Sequence, residues 1–579
     1  MGDVLAGAGL FVAVFAAAAA MLWEASPRRS ATMLITLALI PVLILADQWH
    51  SAEITDLRDH VARFVALGAV AVIAVAVLTA LFRRRPVLLP LAVIAAVPFR
   101  VPIHAGGQEA NLLIPLYLVI AGGVLAVVWS QWEEHRGGPS AGDVRAGDPR
   151  RAQDADASEH GGGGPHGRTR GQALLPKVLA AVLVLYALQS VYSEDFSRAL
   201  QNAAFFYVPF ALAFTLLAEW RWDRRLLVLG LGVVAAEALV FVLFGFWECA
   251  ARHLIWNAEV IQSNDFHTYF RVNSLFWDPN VFGRYLALTI TAVAAALLWA
   301  RSPRIVLWLG ALVAVLWLGL ITTFSQSSFI ALLVGLAALA ALRWSARWTL
   351  ATCAGGAIVA VAFVLAAAGS LKIDLSTEHT LNKDTSGRAN LVSEGIALFG
   401  NRPLWGYGSG SFSVAYQKHR TGGNGRLSVS HTEPVTVAAE QGLIGLLAYL
   451  ALLVVAFWTL AAGFTRLMPG LRGPPSAGGA EVAVADRAQG SSTAASATSV
   501  TGPAVERPVV IAARGAVFAC FLALIAHTMA YAGFLEDPLT WVLLSIGGSL
   551  AVAPQLAIEQ TEADSQRELP AAPPAQAPA

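Results

Sequence analysis

The chain has 579 residues, enough for several soluble domains, but 56% of them are hydrophobic, only 13% are charged, and the mean hydropathy is +0.61. Soluble domains carry about 25% charged residues, so this composition is that of an integral membrane protein. The 39 Lys and Arg against 38 Asp and Glu leave a net charge of +1, without the strongly basic balance of a nucleic-acid binder.

A membrane-crossing helix needs about 20 mostly apolar residues. Segments of that kind occur at 4–23, 31–46, 62–82, 87–99, 112–128, 178–192, 199–217, 226–247, 281–300, 305–322, 327–342, 349–368, 442–464, 509–527 and 541–557. The first has no Lys or Arg before it and is read as a retained span, not a cleaved signal. The fourth is short and ends in Pro98-Phe99-Arg100, as a broken or re-entrant helix would. The fold class expected is therefore an all-α integral membrane protein, a polytopic bundle of about 12 to 15 transmembrane helices.

Lys and Arg collect in cytoplasmic loops, and this bias orients the bundle. Arg28-Arg29, Arg83 to Arg85, Arg221 to Arg225, Arg301 to Arg304 and Arg343 to Arg347 all fall on one side under strict alternation. So do the long loops 133–174 and 465–508. Many of the 17 tryptophans, Trp23, Trp132, Trp220, Trp247, Trp299 and Trp344 among them, stand at span ends as interfacial anchors. The chain divides into N-terminal helices (1–132), a cytoplasmic loop (133–174), central helices (175–369), an extracytoplasmic loop with short surface helices (370–440), one helix (441–464), a second cytoplasmic loop (465–508), C-terminal helices (509–557) and a tail (558–579). The two cytoplasmic loops and the tail are too poor in apolar residues to offset ordering entropy and are expected to be disordered. Asp154-Ala155-Asp156 in the first is like the acidic triplet of metal-dependent glycosyltransferases, but nothing around it would hold a site, and it is read as chance. Cys249, Cys353 and Cys520 offer neither a disulfide framework nor metal-ligand spacing.

Chemistry gathers in the two long outward loops. In 370–440, Ser386-Gly387-Arg388 opens a stretch whose Val392, Ile396 and Phe399 share a helical face, which predicts a surface helix with Ser386 as N-cap. Free N–H groups plus a guanidinium at such a start suit an anion, and pairing with Glu394 or lipid headgroups is the plainer alternative. In the earlier loop, Asp278-Pro279-Asn280 reads as a cap and turn, with the Asp available to hold Arg271 or Arg284. Arg284, just inside the following span, either faces a cavity or partner or snorkels to the interface. His431 precedes Thr432-Glu433-Pro434, where proline suits the first turn of a helix running through Glu440 into the next span. A histidine titrates where a general base must, but an outward histidine can equally be a solvated loop residue. Glu440 either orients the site or caps the span, and Gly442 and Gly445 allow close helix packing.

Taken together, Arg271 with Ser274, Asp278-Pro279-Asn280, Ser325 to Ser328, Ser386-Gly387-Arg388, Pro403-Leu404-Trp405-Gly406-Tyr407-Gly408, His431, Glu440 to Gly445, and the closing segment Tyr531 to Trp541 resemble the O-antigen ligase and Wzy-type polymerase superfamily of polytopic membrane glycosyltransferases. The resemblance implies glycan transfer from an undecaprenyl-pyrophosphate-linked donor to a saccharide or lipid-glycan acceptor, without metal or cofactor, with inversion, on the outer face of a bacterial plasma membrane. It assigns pyrophosphate binding to Arg271 and Arg388, activation of the acceptor hydroxyl to His431, and support to Arg284, Asp278, Asn280 and Glu440. This sequence departs from the family pattern at Ser325-Gln326, where Ser-Arg is usual, and at Thr432, where Asn often follows the histidine. The same superfamily allows a Wzy-type polymerase. A secondary transporter, with Arg284 and the broken fourth helix on a solute path, is the rival from another class, and a scaffold without chemistry is the plainest reading.

Overall fold

The computed structural model describes residues 2–49, 52–105, 108–136, 174–255, 257, 260–262, 264, 269–355, 388–420, 430–465 and 503–551. The chain is a multi-pass helical membrane protein. Among the described residues, eleven helices are long and apolar enough to cross a membrane, and two further apolar helices are shorter. Every sequence-read span coincides with helix except the twelfth, most of which lies outside the described residues, as do the tail and most of the two loops 133–174 and 465–508.

The N-terminal part comprises α1 (Gly2–Leu22), α2 (Pro27–Gln48), α3 (Ala52–Asp59), α4 (Val61–Arg84), α5 (Leu88–Ala96) and α6 (Ile114–Arg136). The fourth span is indeed short. Helix α5 stops before Pro98, which cannot continue a helix, and the chain goes on through an antiparallel hairpin, β1 (Val101–Ala105) and β2 (Gln108–Leu112), pairing Val101 with Leu112. This hairpin has no counterpart in the sequence reading. The ion pair from Arg83 Nη2 to Glu133 Oε1 (2.7 Å) brings the C-terminal ends of α4 and α6 together, so these two helices run parallel and alternation holds across α5.

The central helices are α7 (Leu174–Ser190), α8 (Phe196–Asn202), a π-helical turn (Ala203–Tyr207), α9 (Val208–Ala218), α10 (Arg224–Ala251), α11 (Pro279–Trp299), α12 (Pro303–Thr323) and α13 (Gln326–Arg343). Inside lipid a freed carbonyl needs a protein partner, and the hydroxyl of Tyr117 donates to Phe205 O (2.6 Å) where the π turn breaks the helical ladder. Helix starts follow local chemistry. Ser26, Asp195, Asp223 and Asp278 each accept a backbone N–H of the following turn, and Pro27, Pro279 and Pro303 sit in first turns.

Then come α14 (Arg388–Asn401), α15 (Phe412–His419), α16 (Glu433–Thr465), α17 (Pro503–Thr528) and α18 (Pro538–Ala551). The centre of the bundle is α11, enclosed by α10, α12, α13 and α17, and the α8–α9 segment is its most buried span. Both begin at the same end as α13, α16 and α18, the end where α10, α12 and α17 finish.

Candidate active site

Helix α14 lies on the start of α16. The buried face of α14 is Leu391, Gly395 and Leu398, whereas Ile396 is exposed. A Cβ at Gly395 would collide with Val435, so glycine lets this helix lie directly on the start of α16. Glu394 pairs with Arg420. Ser386 lies outside the described residues, and Arg388 is the first residue of α14. A Cβ at Gly445 would meet the side chain of Gln441.

The Pro403–Ser411 motif is a clasp on the same helix. Gly408 N donates to Glu440 O (2.7 Å), Tyr407 N to Ala439 O (3.1 Å) and Leu443 N to Pro403 O (2.7 Å). Such backbone-to-backbone approach leaves no room for a Cβ. Gly406 lies against the Glu440 carbonyl and Gly442 against the Leu404 carbonyl, both in the left-handed region (φ +67° and +65°). The Glu440 carboxylate completes the clasp, accepting from Gly410 N (2.8 Å) and Phe412 N (3.1 Å). Glu440 thereby fixes the loop between α14 and α15.

At the same end of the bundle the charged residues of distant segments converge. Arg284 is buried in the second turn of α11, and its Nη2 lies 2.5 Å from Oδ2 of Asp537, a partner found in the turn before α18. Its Nε and Nη1 find no hydrogen-bond acceptor among the described residues. The Tyr531 ring lies below this guanidinium at 6.0 Å and 6.3 Å from the His431 ring, with His527 on another side at 5.8 Å. Burial, then the Asp278 carboxylate beside it, raises the Tyr531 pKa, so its hydroxyl stays protonated. Asp278 is thus an N-cap for α11 (Oδ1 to Asn280 N, 2.6 Å) and a neighbour of Tyr531, and it holds neither Arg271 nor Arg284.

Arg271 joins the cluster from the loop before α11. Its Nε donates to Thr323 O (3.0 Å) and its Nη2 to Asn280 Oδ1 (3.3 Å), while Asn264 brackets its backbone from both sides. Asn280 Oδ1 also accepts from Ser325 Oγ (2.9 Å), and Ser327 Oγ is 3.2 Å from His527 Nε2. The serines after α12 therefore link the arginine loop to His527 at the end of α17 and, through it, to Tyr531, despite the Ser325-Gln326 departure.

Glu433 and Glu536 enter without having been named as site residues. Glu433 Oε2 accepts from Gly533 N (2.6 Å) and Phe534 N (3.2 Å), which fastens the turn carrying Tyr531 to the segment carrying His431. Burial raises the Glu536 pKa against the opposing pull of Arg198, Arg100 and Arg284. Arg100 was also missed. It arrives from the far N-terminal part through the short α5, where Asp537, Arg284, Tyr531 and Tyr117 act on it and burial lowers its pKa. Its sequence signal was an arginine two residues after the proline that ends an apolar helix.

Residues 311–450 match the family model described as O-antigen ligase. That segment, about a quarter of the chain, is similar to the O-antigen ligase family. The match supports, over those residues, the superfamily resemblance read from the sequence. A search of curated proteins finds no match. The matched segment contains Ser325, Arg388, His431 and Glu440, while Arg271, Arg284, Tyr531 and Asp537 come from outside it. The cluster thus needs helices on both sides of the matched segment.

Proposed function

We propose that the protein transfers a glycan from an undecaprenyl-pyrophosphate carrier to a saccharide or lipid-glycan acceptor on the outer face of a bacterial plasma membrane. The observation carrying this reading is the meeting of His431 with Tyr531 and Arg284, whose guanidinium keeps two nitrogens without acceptors. His431 takes the proton of the acceptor hydroxyl as that oxygen attacks the anomeric carbon. The bond from that carbon to the pyrophosphate oxygen breaks with inversion, and the electron pair leaves with the pyrophosphate. Arg271, Arg284 and Arg388 stabilise the charge that grows on the leaving group, and preorganised donors of this kind supply much of an enzyme's rate enhancement. Tyr531 positions the imidazole. The acceptor hydroxyl is a poor nucleophile and pyrophosphate a good leaving group, so a base and cations suffice.

The purified protein is expected to release undecaprenyl pyrophosphate from lipid-linked glycan without any ion gradient, and His431→Ala and Arg271→Ala proteins that insert normally to lose this. Full transfer by both variants would overturn the assignment, and a requirement for an ion gradient would favour the transporter. The ionisable residues gather at one end of the bundle instead of its middle, which supports the enzyme. Impermeant thiol reagents should label cysteines introduced at 388 and 431 in intact cells. Ligase and polymerase separate in the surface glycans of a deletion strain. Loss of long chains with single units retained marks a polymerase, and accumulated carrier-bound polymer marks a ligase.

A further inference from the structure

The bundle end opposite His431 holds a second feature. Helices α2 and α4 both pack on α6 and leave a groove of about 770 Å³ between them, lined by Ser30, Leu34, Ala76, Thr79, Val128 and Trp129 among others. Its position follows from two ion pairs. Arg29 at the start of α2 binds Glu219 at the end of α9, which begins near the site, and Arg83 at the end of α4 binds Glu133. Glycines set its shape. At Gly122 the α4 backbone and side chains crowd α6, where an added Cβ would fall 2.8 Å from Leu78 Cβ.

We propose that this groove binds one anionic membrane phospholipid, with an acyl chain along the apolar lining and the headgroup at the arginines of the mouth. The interior asks for no polar ligand, because Ser30 Oγ donates to Gln131 and Thr79 Oγ1 to Val75 O (2.7 Å). The mouth does ask for an anion. Arg83 is neutralised by Glu133 and lies 4.6 Å over the Trp129 ring, but Arg28, Arg84 and Arg85 beside it are exposed and make no ion pair among the described residues. Trp129 and Trp132, 6.0 Å apart edge to face, stand where indoles meet the headgroup layer. The volume falls within the roughly 300–1,000 Å³ of built small-molecule sites, and basic pockets between spans on the cytoplasmic side are where anionic headgroups bind. The carrier of the glycan donor has its own anionic head at the other end of the bundle, so it cannot present that head here while reacting. This proposal does not depend on glycan transfer being the activity.

Full-length protein in lipid nanodiscs containing phosphatidylglycerol or phosphatidylcholine, released and weighed by native mass spectrometry, tests it. Phosphatidylglycerol should stay bound and phosphatidylcholine should not. An Arg84→Gln/Arg85→Gln protein keeps Arg28, Arg29 and Arg83 for orientation and should retain phosphatidylglycerol on the order of twentyfold more weakly, from roughly fivefold per arginine near a lipid surface. Thr79→Trp, which fills the groove, should abolish retention. Equal retention of both lipids, no change in the arginine variant, or exchange of phosphatidylglycerol for an added polyprenyl phosphate would each overturn it. Release of undecaprenyl pyrophosphate, assayed in the same samples, reports separately on the site at the other end.

Discussion

Asp537→Asn removes the carboxylate that, among the described residues, makes an ion pair with Arg284, and the structure sets the size of the effect. The two side chains are 4% and 2% exposed and their charged atoms lie 2.5 Å apart, so the guanidinium would be left buried without its counter-charge. Breaking one side of a buried pair costs about 3–5 kcal/mol, because it strands the other charge, whereas replacing both partners by apolar groups of similar size is often near neutral. The single variants Asp537→Asn and Arg284→Met should each lose about 3–5 kcal/mol, and Arg284→Met/Asp537→Leu much less than their sum. Equilibrium unfolding in mixed micelles, followed by tryptophan fluorescence, gives the cycle. Additivity within about 0.5 kcal/mol would show that the two charges are not coupled, and the pair would then be no more than a close approach. Glycan transfer separates stability from chemistry. The double variant should be well folded yet inactive, since it lacks the cation that faces the leaving group. Wild-type transfer by that variant would remove Arg284 from the mechanism.

Glu440→Gln keeps one acceptor for the 410–412 backbone and turns an N–H toward the other donor, so it should cost about 1–3 kcal/mol, the cost of leaving one buried donor unsatisfied. Unfolding should show this loss, and unchanged stability would mean that the clasp is held by its backbone bonds alone. Glu536 titrates above its ordinary value of 4.5 because it is buried, so the folded state holds its proton more tightly than the unfolded state. Its contribution is fully present below that value and is lost as pH rises through the folded pKa. Wild type should therefore lose stability relative to Glu536→Gln as pH rises above about 4.5, and parallel pH profiles would refute the burial argument.

Much of this protein could be read from its sequence because the membrane makes local rules strict. A backbone in lipid must satisfy its own hydrogen bonds, so each apolar run of sufficient length is a helix, and arginine runs mark a common end before any contact is known. Asp278 with Pro279 and Glu433 with Pro434 announced helix starts by chemistry confined to one turn. The face by which α14 rests on α16 centres on Gly395, which hydropathy does not mark, because its value lies in what it leaves out. Pairing decided the rest. That Asp537 and not Asp278 answers Arg284, that Arg100 reaches the cluster through a helix too short to cross, and that Glu440 serves the Gly410 and Phe412 amides are facts about segments far apart in the chain. Composition and periodicity describe a residue's own helix, and a buried charge finds its partner only when helices pack, so the identity of these partners belongs to the tertiary structure alone.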